Sequence, residues 1–225
     1  MTTTILLVDD QELLRMGFRL VLDSQPDLEV VAEAGDGRDA VALVAEHEPD
    51  IVLMDVRMPE VDGVAATREI IASGSASRII ILTTFDLDEY AYAALRAGAS
   101  GFLLKDAQPT DMLSAIRSVA SGDAVVAPST TRRLLDTIAH RLPDPQKRAG
   151  PAADPLLDAL TPREREVVVA VAGGLSNAEI AEELVLAEAT VKTHIGRVLA
   201  KLQLRDRVHA VVLAYECGLV RPGAG

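Results

Sequence analysis

The sequence predicts an α/β protein in two parts: a doubly wound parallel-sheet domain of the (βα)5 type, then a smaller all-α domain. Three observations carry that expectation. Five short apolar runs alternate with helical patterns from Ile5 to Ser121. A proline-rich stretch then interrupts the pattern, and beyond it only helical periods recur. Near-continuous apolar strands separated by helices belong to parallel sheets covered on both faces, and in such sheets function gathers beyond the strands' carboxyl ends.

The strand segments are Ile5 to Val8, Glu29 to Ala32, Ile51 to Met54, Ile79 to Leu82 and Gly101 to Leu104. Each is short, and the segments between them read as helices. A further helix is predicted from about Pro128 to Arg141, because Thr131, Leu134, Leu135, Ile138 and Leu142 recur at helical spacing. Pro143, Pro145, Gly150, Pro151 and Pro155 then mark an exposed, semi-rigid linker. The expected organisation is therefore a sheet domain over 1–121, a connecting helix and linker over 122–156, and a helical domain over 157–225.

Within the helical domain, Thr161-Pro162-Arg163-Glu164 and Ser176-Asn177-Ala178-Glu179 are capping boxes, the first with proline at the opening helical position. Gly173-Gly174 stops the helix between them. Ile180, Ala181 and Leu184, then Val191, Ile195, Val198, Leu199 and Leu202, form apolar stripes on two successive helices. A last helix, about Arg205 to Cys217, carries Val208, Val211, Val212 and Tyr215.

The chain has 225 residues, of which 49% are hydrophobic, so it can bury a real core. Its longest apolar runs fall far short of the ~20 residues that a membrane span needs. The N-terminus enters a strand at once with no basic segment or cleavage site, and Cys217 has no partner for an internal disulfide. A cytoplasmic protein without membrane association is expected. The net charge of -12 argues superficially against nucleic acid, yet most of the acidic excess lies in the first domain. Between 190 and 207, Lys192, Arg197, Lys201, Arg205 and Arg207 face Asp206 alone, which makes a basic stripe.

Four polar positions stand directly after three apolar strands: Asp9 and Asp10, Asp55, and Lys105. The predicted fold brings all of them to one edge of the sheet. Clustered carboxylates repel unless a cation neutralises them, and a small oxygen-seeking dication such as Mg²⁺ suits two carboxylates plus carbonyl and water. A competing pattern, Gly35-Asp36-Gly37-Arg38-Asp39-Ala40, fits a dinucleotide fingerprint, with Asp55 where a ribose-binding acid would sit. Asp36 would face the pyrophosphate, and Asp9, Asp10 and Lys105 would stay unexplained, so these glycines are read as a tight turn.

Leu7-Val8-Asp9-Asp10, Asp55-Val56-Arg57-Met58-Pro59 with Asp62-Gly63, Leu82-Thr83-Thr84, and Gly98 through Lys105 together resemble the receiver domain of two-component response regulators. That resemblance implies Asp55 as phosphoacceptor, loaded by a sensor histidine kinase. It implies Mg²⁺ held by Asp10, Asp55 and the Arg57 backbone carbonyl, with Asp9 supporting the site from beside it. Thr83 and Lys105 would bond the phosphoryl oxygens, and Phe102 would be the aromatic that swings inward afterwards. Phe85, two residues beyond Thr83, would shield the phosphoryl group from water.

Leu160 through Glu166, Gly174 through Ala181, and Thr190-Val191-Lys192-Thr193-His194 resemble the helix-turn-helix of the LuxR/NarL class. The resemblance implies Glu179 to Val185 as scaffold helix and about Glu188 to Leu202 as recognition helix in the major groove of double-stranded DNA. The apolar stripe of that helix faces the bundle, leaving Thr190, Lys192, Thr193, Gly196 and Arg197 exposed. Lys192 and Thr193 are the base-edge candidates; Lys201, Arg205 and Arg207 suit phosphates. A homodimer paired through Val208, Val211 and Val212 is expected on phosphorylation. Two positions depart from the family pattern: Ala187 stands where serine commonly caps the recognition helix, and Gln203 where glycine often ends it.

Overall fold

The computed structural model describes residues 2–83, 88–121 and 155–220. The chain divides into two compact units, Met1–Ala124 and Val125–Gly225. The expected helix from Pro128 to Arg141, most of the linker, and Phe85 lie outside the described residues.

The first unit holds five strands: β1 Thr3–Val8, β2 Leu28–Ala34, β3 Ile51–Asp55, β4 Arg78–Thr83 and β5 Gly101–Leu104. All pair in parallel, in the order β2-β1-β3-β4-β5. Every expected strand is present, most of them one or two residues longer than the apolar run alone, because flanking polar residues can still join the ladder. The helices are α1 Glu12–Asp23, α2 Gly37–His47, α3 Gly63–Ala72, α4 Asp88–Ala97 and α5 Pro109–Ala120. Alternation along the strands splits the core. Ile5, Leu7, Ile51, Leu53, Ile80, Leu82 and Leu103 pack with Leu22 of α1 and with Met112, Ile116 and Val119 of α5. Leu6, Val52, Met54, Ile79, Ile81 and Phe102 are buried as the alternate set.

The order of strands reverses between β1 and β3, since the chain leaves β1 for one side of the sheet and returns on the other. The carboxyl ends of these two strands therefore open a crevice at the switch point. Asp9 and Asp10 follow β1, and Asp55 closes β3.

The turn between β2 and α2 shows why the dinucleotide pattern misleads. The Asp36 side chain accepts from the backbone amides of Arg38 and Asp39, at 2.8 and 2.9 Å. A carboxylate already fills the helix N-terminus where a pyrophosphate would have to sit.

The described part of the second unit consists of α6 Pro155–Asp158, α7 Pro162–Ala172, α8 Asn177–Glu183, α9 Glu188–Leu202 and α10 Arg207–Glu216. Both capping boxes close. Thr161 accepts from the Glu164 amide while Glu164 Oε2 accepts from the Thr161 amide at 2.8 Å; Ser176 and Glu179 exchange the same bonds. The scaffold helix ends earlier than expected. Val185 lies in the turn with φ 54° and is 89% exposed. An apolar side chain prolongs a helical pattern in sequence, but this β-branched residue sits where the chain must turn left-handed.

Candidate functional site

Three carboxylates meet at the end of the parallel sheet. Ligand oxygens of Asp9, Asp10 and Asp55 lie within 4.8 Å of one another, with Asp10 exposed and the other two buried. Lys105, carried at the end of β5, spans the pair: its Nζ is 2.6 Å from Asp9 Oδ2 and 2.9 Å from Asp55 Oδ2. The Lys105 amide donates to the Thr83 carbonyl at 2.7 Å, which fixes Lys105 beside the end of β4. Thr83 itself is buried. Asp9 Oδ1 accepts from the Gln11 amide at 2.9 Å, and Asp55 Oδ1 from the Arg57 amide at 3.4 Å.

Electrostatics follow from burial and charge. Burial pushes the Asp55 carboxyl upward, the Asp9 carboxylate adds to this, and Lys105 opposes both. Burial alone would lower the Lys105 ammonium, but its bonds to Asp9 and Asp55 outweigh that effect and raise it. Three acids against one ammonium leave an excess of negative charge in a partly buried, oxygen-rich crevice. That donor set fits a hard divalent cation.

Two further residues support this crevice. Gly63, at the start of α3, presses on the backbone of β3, and a Cβ there would lie 2.0 Å from the Asp55 carbonyl oxygen. Arg15 of α1 reaches the carbonyl of Asp9 with Nη1 and Glu33 with Nε, tying α1 to the end of β1. The receiver pattern includes Asp62-Gly63 without showing why a glycine is needed there, and Arg15 carries no signal of its contacts until the chain is folded.

Phe102 is turned inward. Its side chain is already buried, 6% exposed, in register with Ile81. The ring lies in the apolar layer on one face of the sheet, which is the inward position expected of it once Asp55 carries a phosphoryl group.

In the second unit, α8 and α9 form a helix-turn-helix pair on the scaffold of α7 and α10. Thr190, Lys192, Thr193, Gly196 and Arg197 are exposed on α9, as its apolar stripe requires. Lys192 Nζ is 3.8 Å from Glu188 on the preceding turn, and Thr193 Oγ1 donates to the Ala189 carbonyl at 2.9 Å. Arg205 is exposed between α9 and α10. Ala187 begins α9 without a side-chain cap, and Gln203 ends it at φ 54°.

The comparisons with known proteins agree with this geometry. The family described as response regulator receiver domain matches residues 5–117, and the family described as bacterial regulatory proteins, luxR family, matches residues 158–214. The chain is 42% identical over 217 residues to the uncharacterized transcriptional regulatory protein YxjL of Bacillus subtilis, covering 96% of this chain and 97% of that one. The chain belongs to the LuxR-family response regulators. Transcriptional regulatory protein LiaR of Bacillus subtilis is 39% identical, over 96% and 98% of the two chains. The crystal structure of response regulator ChrA, from a heme-sensing two-component system, superposes with a TM-score of 0.51 at 33% identity, covering 97% and 99%.

Other expectations need revision in this response regulator. Lys201 is 37% exposed but already paired, its Nζ 2.6 Å from Glu164 Oε2, so a phosphate would have to compete with that carboxylate. That bond and the Thr161 amide hold the Glu164 carboxyl down at about 2. Arg207 donates to Asn177 Oδ1 at 2.7 Å and to the Leu175 carbonyl, bracing the turn before α8. Val208, Val211 and Val212 are 0%, 2% and 7% exposed. They are core of the helical unit, because Ala210, Ala214 and Tyr215 are buried as well and α10 is covered on most sides. They offer no free pairing surface.

Proposed function

We propose that this response regulator accepts a phosphoryl group on Asp55 from a sensor histidine kinase and so controls how α9 meets double-stranded DNA. The observation that carries the proposal is the meeting of Asp55, Asp9 and Lys105 at the switch point of the sheet, with separations of 2.6 and 2.9 Å. In the transfer, an Asp55 carboxylate oxygen forms a P–O bond while the donor's P–N bond breaks. The histidine nitrogen leaves with the electron pair and takes up a proton. Such a step needs positioning and charge neutralisation rather than a base.

Asp9, Asp10, Asp55 and the Arg57 carbonyl are the groups that would hold Mg²⁺, which supplies neutralisation of the phosphoryl oxygens when bound. Lys105 is already in contact with Asp55 and transfers an ammonium bond to the incoming group. Thr83, at the neighbouring strand end, supplies a hydroxyl on the same rim. The phosphoryl group ends on the chain's own carboxylate, so the protein acts as a regulator rather than as an enzyme on a separate substrate.

On the DNA side, Lys192 and Thr193 read base edges, while Thr190, Arg197 and Arg205 contribute to backbone contacts. Subunits pair as a homodimer on two half-sites when phosphorylated, through a surface other than the buried valines of α10. Among the described residues no helix is long and apolar enough to cross a membrane, and a chromosomal target places the work in the cytoplasm. The test is DNA affinity measured at several salt concentrations, with and without a small phosphodonor, for the wild type and Asp55→Asn. Affinity should fall with salt in both, and only the wild type should respond to the donor.

A further inference from the structure

Gly196 sits in the middle of α9, exposed to solvent. Nothing within the described protein requires a glycine there. A Cβ at Gly196 would meet no heavy atom within 4 Å, whereas at Gly63 and Gly37 it would strike backbone at 2.0 and 2.5 Å. Nor does Gly196 have the positive φ of Gly174 or Gly218. Among helix-interior residues only proline is worse than glycine, so its presence is a cost that no internal packing offsets. Gly17 of α1 is equally open, but α9 is the helix read as meeting DNA, so at Gly196 the cost is one that an object approaching from outside can offset.

The surroundings show what kind of object that is. Ala189, Thr193, Gly196 and Ala200 are all exposed and follow one another along one line of the helix. The Thr193 hydroxyl is turned back onto the Ala189 carbonyl, which keeps this line low. Lys192 and Arg197, also exposed, flank it with long cationic side chains. A helix with side chains is about 10–12 Å across, and the major groove is about 12 Å wide and 8.5 Å deep. In so close a fit, side-chain bulk on the inserted line decides how deep the axis can sink.

We propose that Gly196 is a positioning residue for DNA reading: its missing side chain lets the α9 backbone descend until Lys192 and Thr193 reach base edges, while Arg197 spans to the phosphate backbone. The proposal rests on the reading of α9 as the recognition helix and assigns the depth of its insertion. Phosphate contacts through long, flexible side chains tolerate a raised helix; base contacts do not.

The experiment uses the full-length phosphorylated chain. The wild type first selects a duplex from a random-sequence pool. That duplex and a scrambled one of the same length are then titrated at one salt concentration with wild type, Gly196→Ala and Gly196→Leu, and each protein is melted. Gly196→Ala should melt higher than wild type yet bind the selected duplex about threefold more weakly, and Gly196→Leu about thirtyfold more weakly. All three should bind the scrambled duplex within about twofold of one another. Equal binding of the selected duplex by all three proteins would overturn the proposal. So would a Leu variant that loses both duplexes equally and melts lower, since the glycine would then serve only the fold. A wild type that selects no duplex would refute the DNA reading itself, and the proposal with it.

Discussion

Replacing Lys201 by methionine keeps the aliphatic stem and removes the ammonium that meets Glu164 Oε2 at 2.6 Å. Glu164 is 3% exposed, and the Lys201 ammonium first, then the Thr161 amide, hold its carboxyl down at about 2, below the ordinary 4.5. By linkage that depression corresponds to about 3 kcal/mol. Lys201 is 37% exposed, so solvent screening and the share due to Thr161 reduce its part to about 1–2 kcal/mol. A depressed carboxyl stabilises above its unfolded value and loses that contribution as pH falls through the folded one. The gap between wild type and Lys201→Met should therefore be full at pH 7, shrink below about 4.5, and vanish near 2. Urea unfolding of the full-length protein, with hydrogen exchange at α7 and α9 amides to localise the change, measures it. The salt slope of DNA binding should stay unchanged. Equal stability at pH 7 together with a slope reduced by about one would refute the reasoning and restore Lys201 as a phosphate contact.

Gly63→Ala should destabilise the receiver unit by about 2–4 kcal/mol and cut phosphorylation, because the new methyl collides with the Asp55 carbonyl at 2.0 Å; chemical unfolding and phosphate incorporation check both effects. Gln203→Gly should stabilise the helical unit by about 0.5–1 kcal/mol, since the residue ends α9 at φ 54°, as a raised melting temperature would show. Ala187→Ser should add about 1 kcal/mol by capping the bare start of α9, measured the same way, with protection of the first-turn amides rising as the specific sign of a cap.

Much of the receiver was legible because its signals are local. Apolar runs of strand length mark the sheet, and Asp9, Asp10, Asp55 and Lys105 stand directly after them, so the topology alone brings them together. Capping boxes are legible for the same reason: Thr161 and Ser176 find their partners three residues away. What stayed hidden depends on partners distant in sequence. The Lys201 ammonium reads as one more cation of a basic stripe until α7 brings Glu164 against it. Val208, Val211 and Val212 read as a spare apolar stripe, and only the packing of α10 on α7 shows that the helical unit uses it up. Val185 continues an apolar pattern, yet backbone geometry at the turn decides its state. Gly63 stands in the receiver pattern but its close approach to the Asp55 carbonyl does not show there, and the bond from Arg15 to the Asp9 carbonyl is encoded by no residue pattern.

The central claim is that Asp55 carries the phosphoryl group. Treating the full-length protein with Mg²⁺ and a small phosphodonor, reducing with borohydride, and mapping the peptides that hold Asp9, Asp10 and Asp55 tests it directly, because reduction converts an aspartyl phosphate to homoserine. Homoserine is expected at position 55 in the wild type, none in Asp55→Asn, and strongly reduced conversion in Asp10→Asn or when Mg²⁺ is withheld. Homoserine at position 9 or 10, or undiminished phosphorylation of Asp55→Asn, would contradict it.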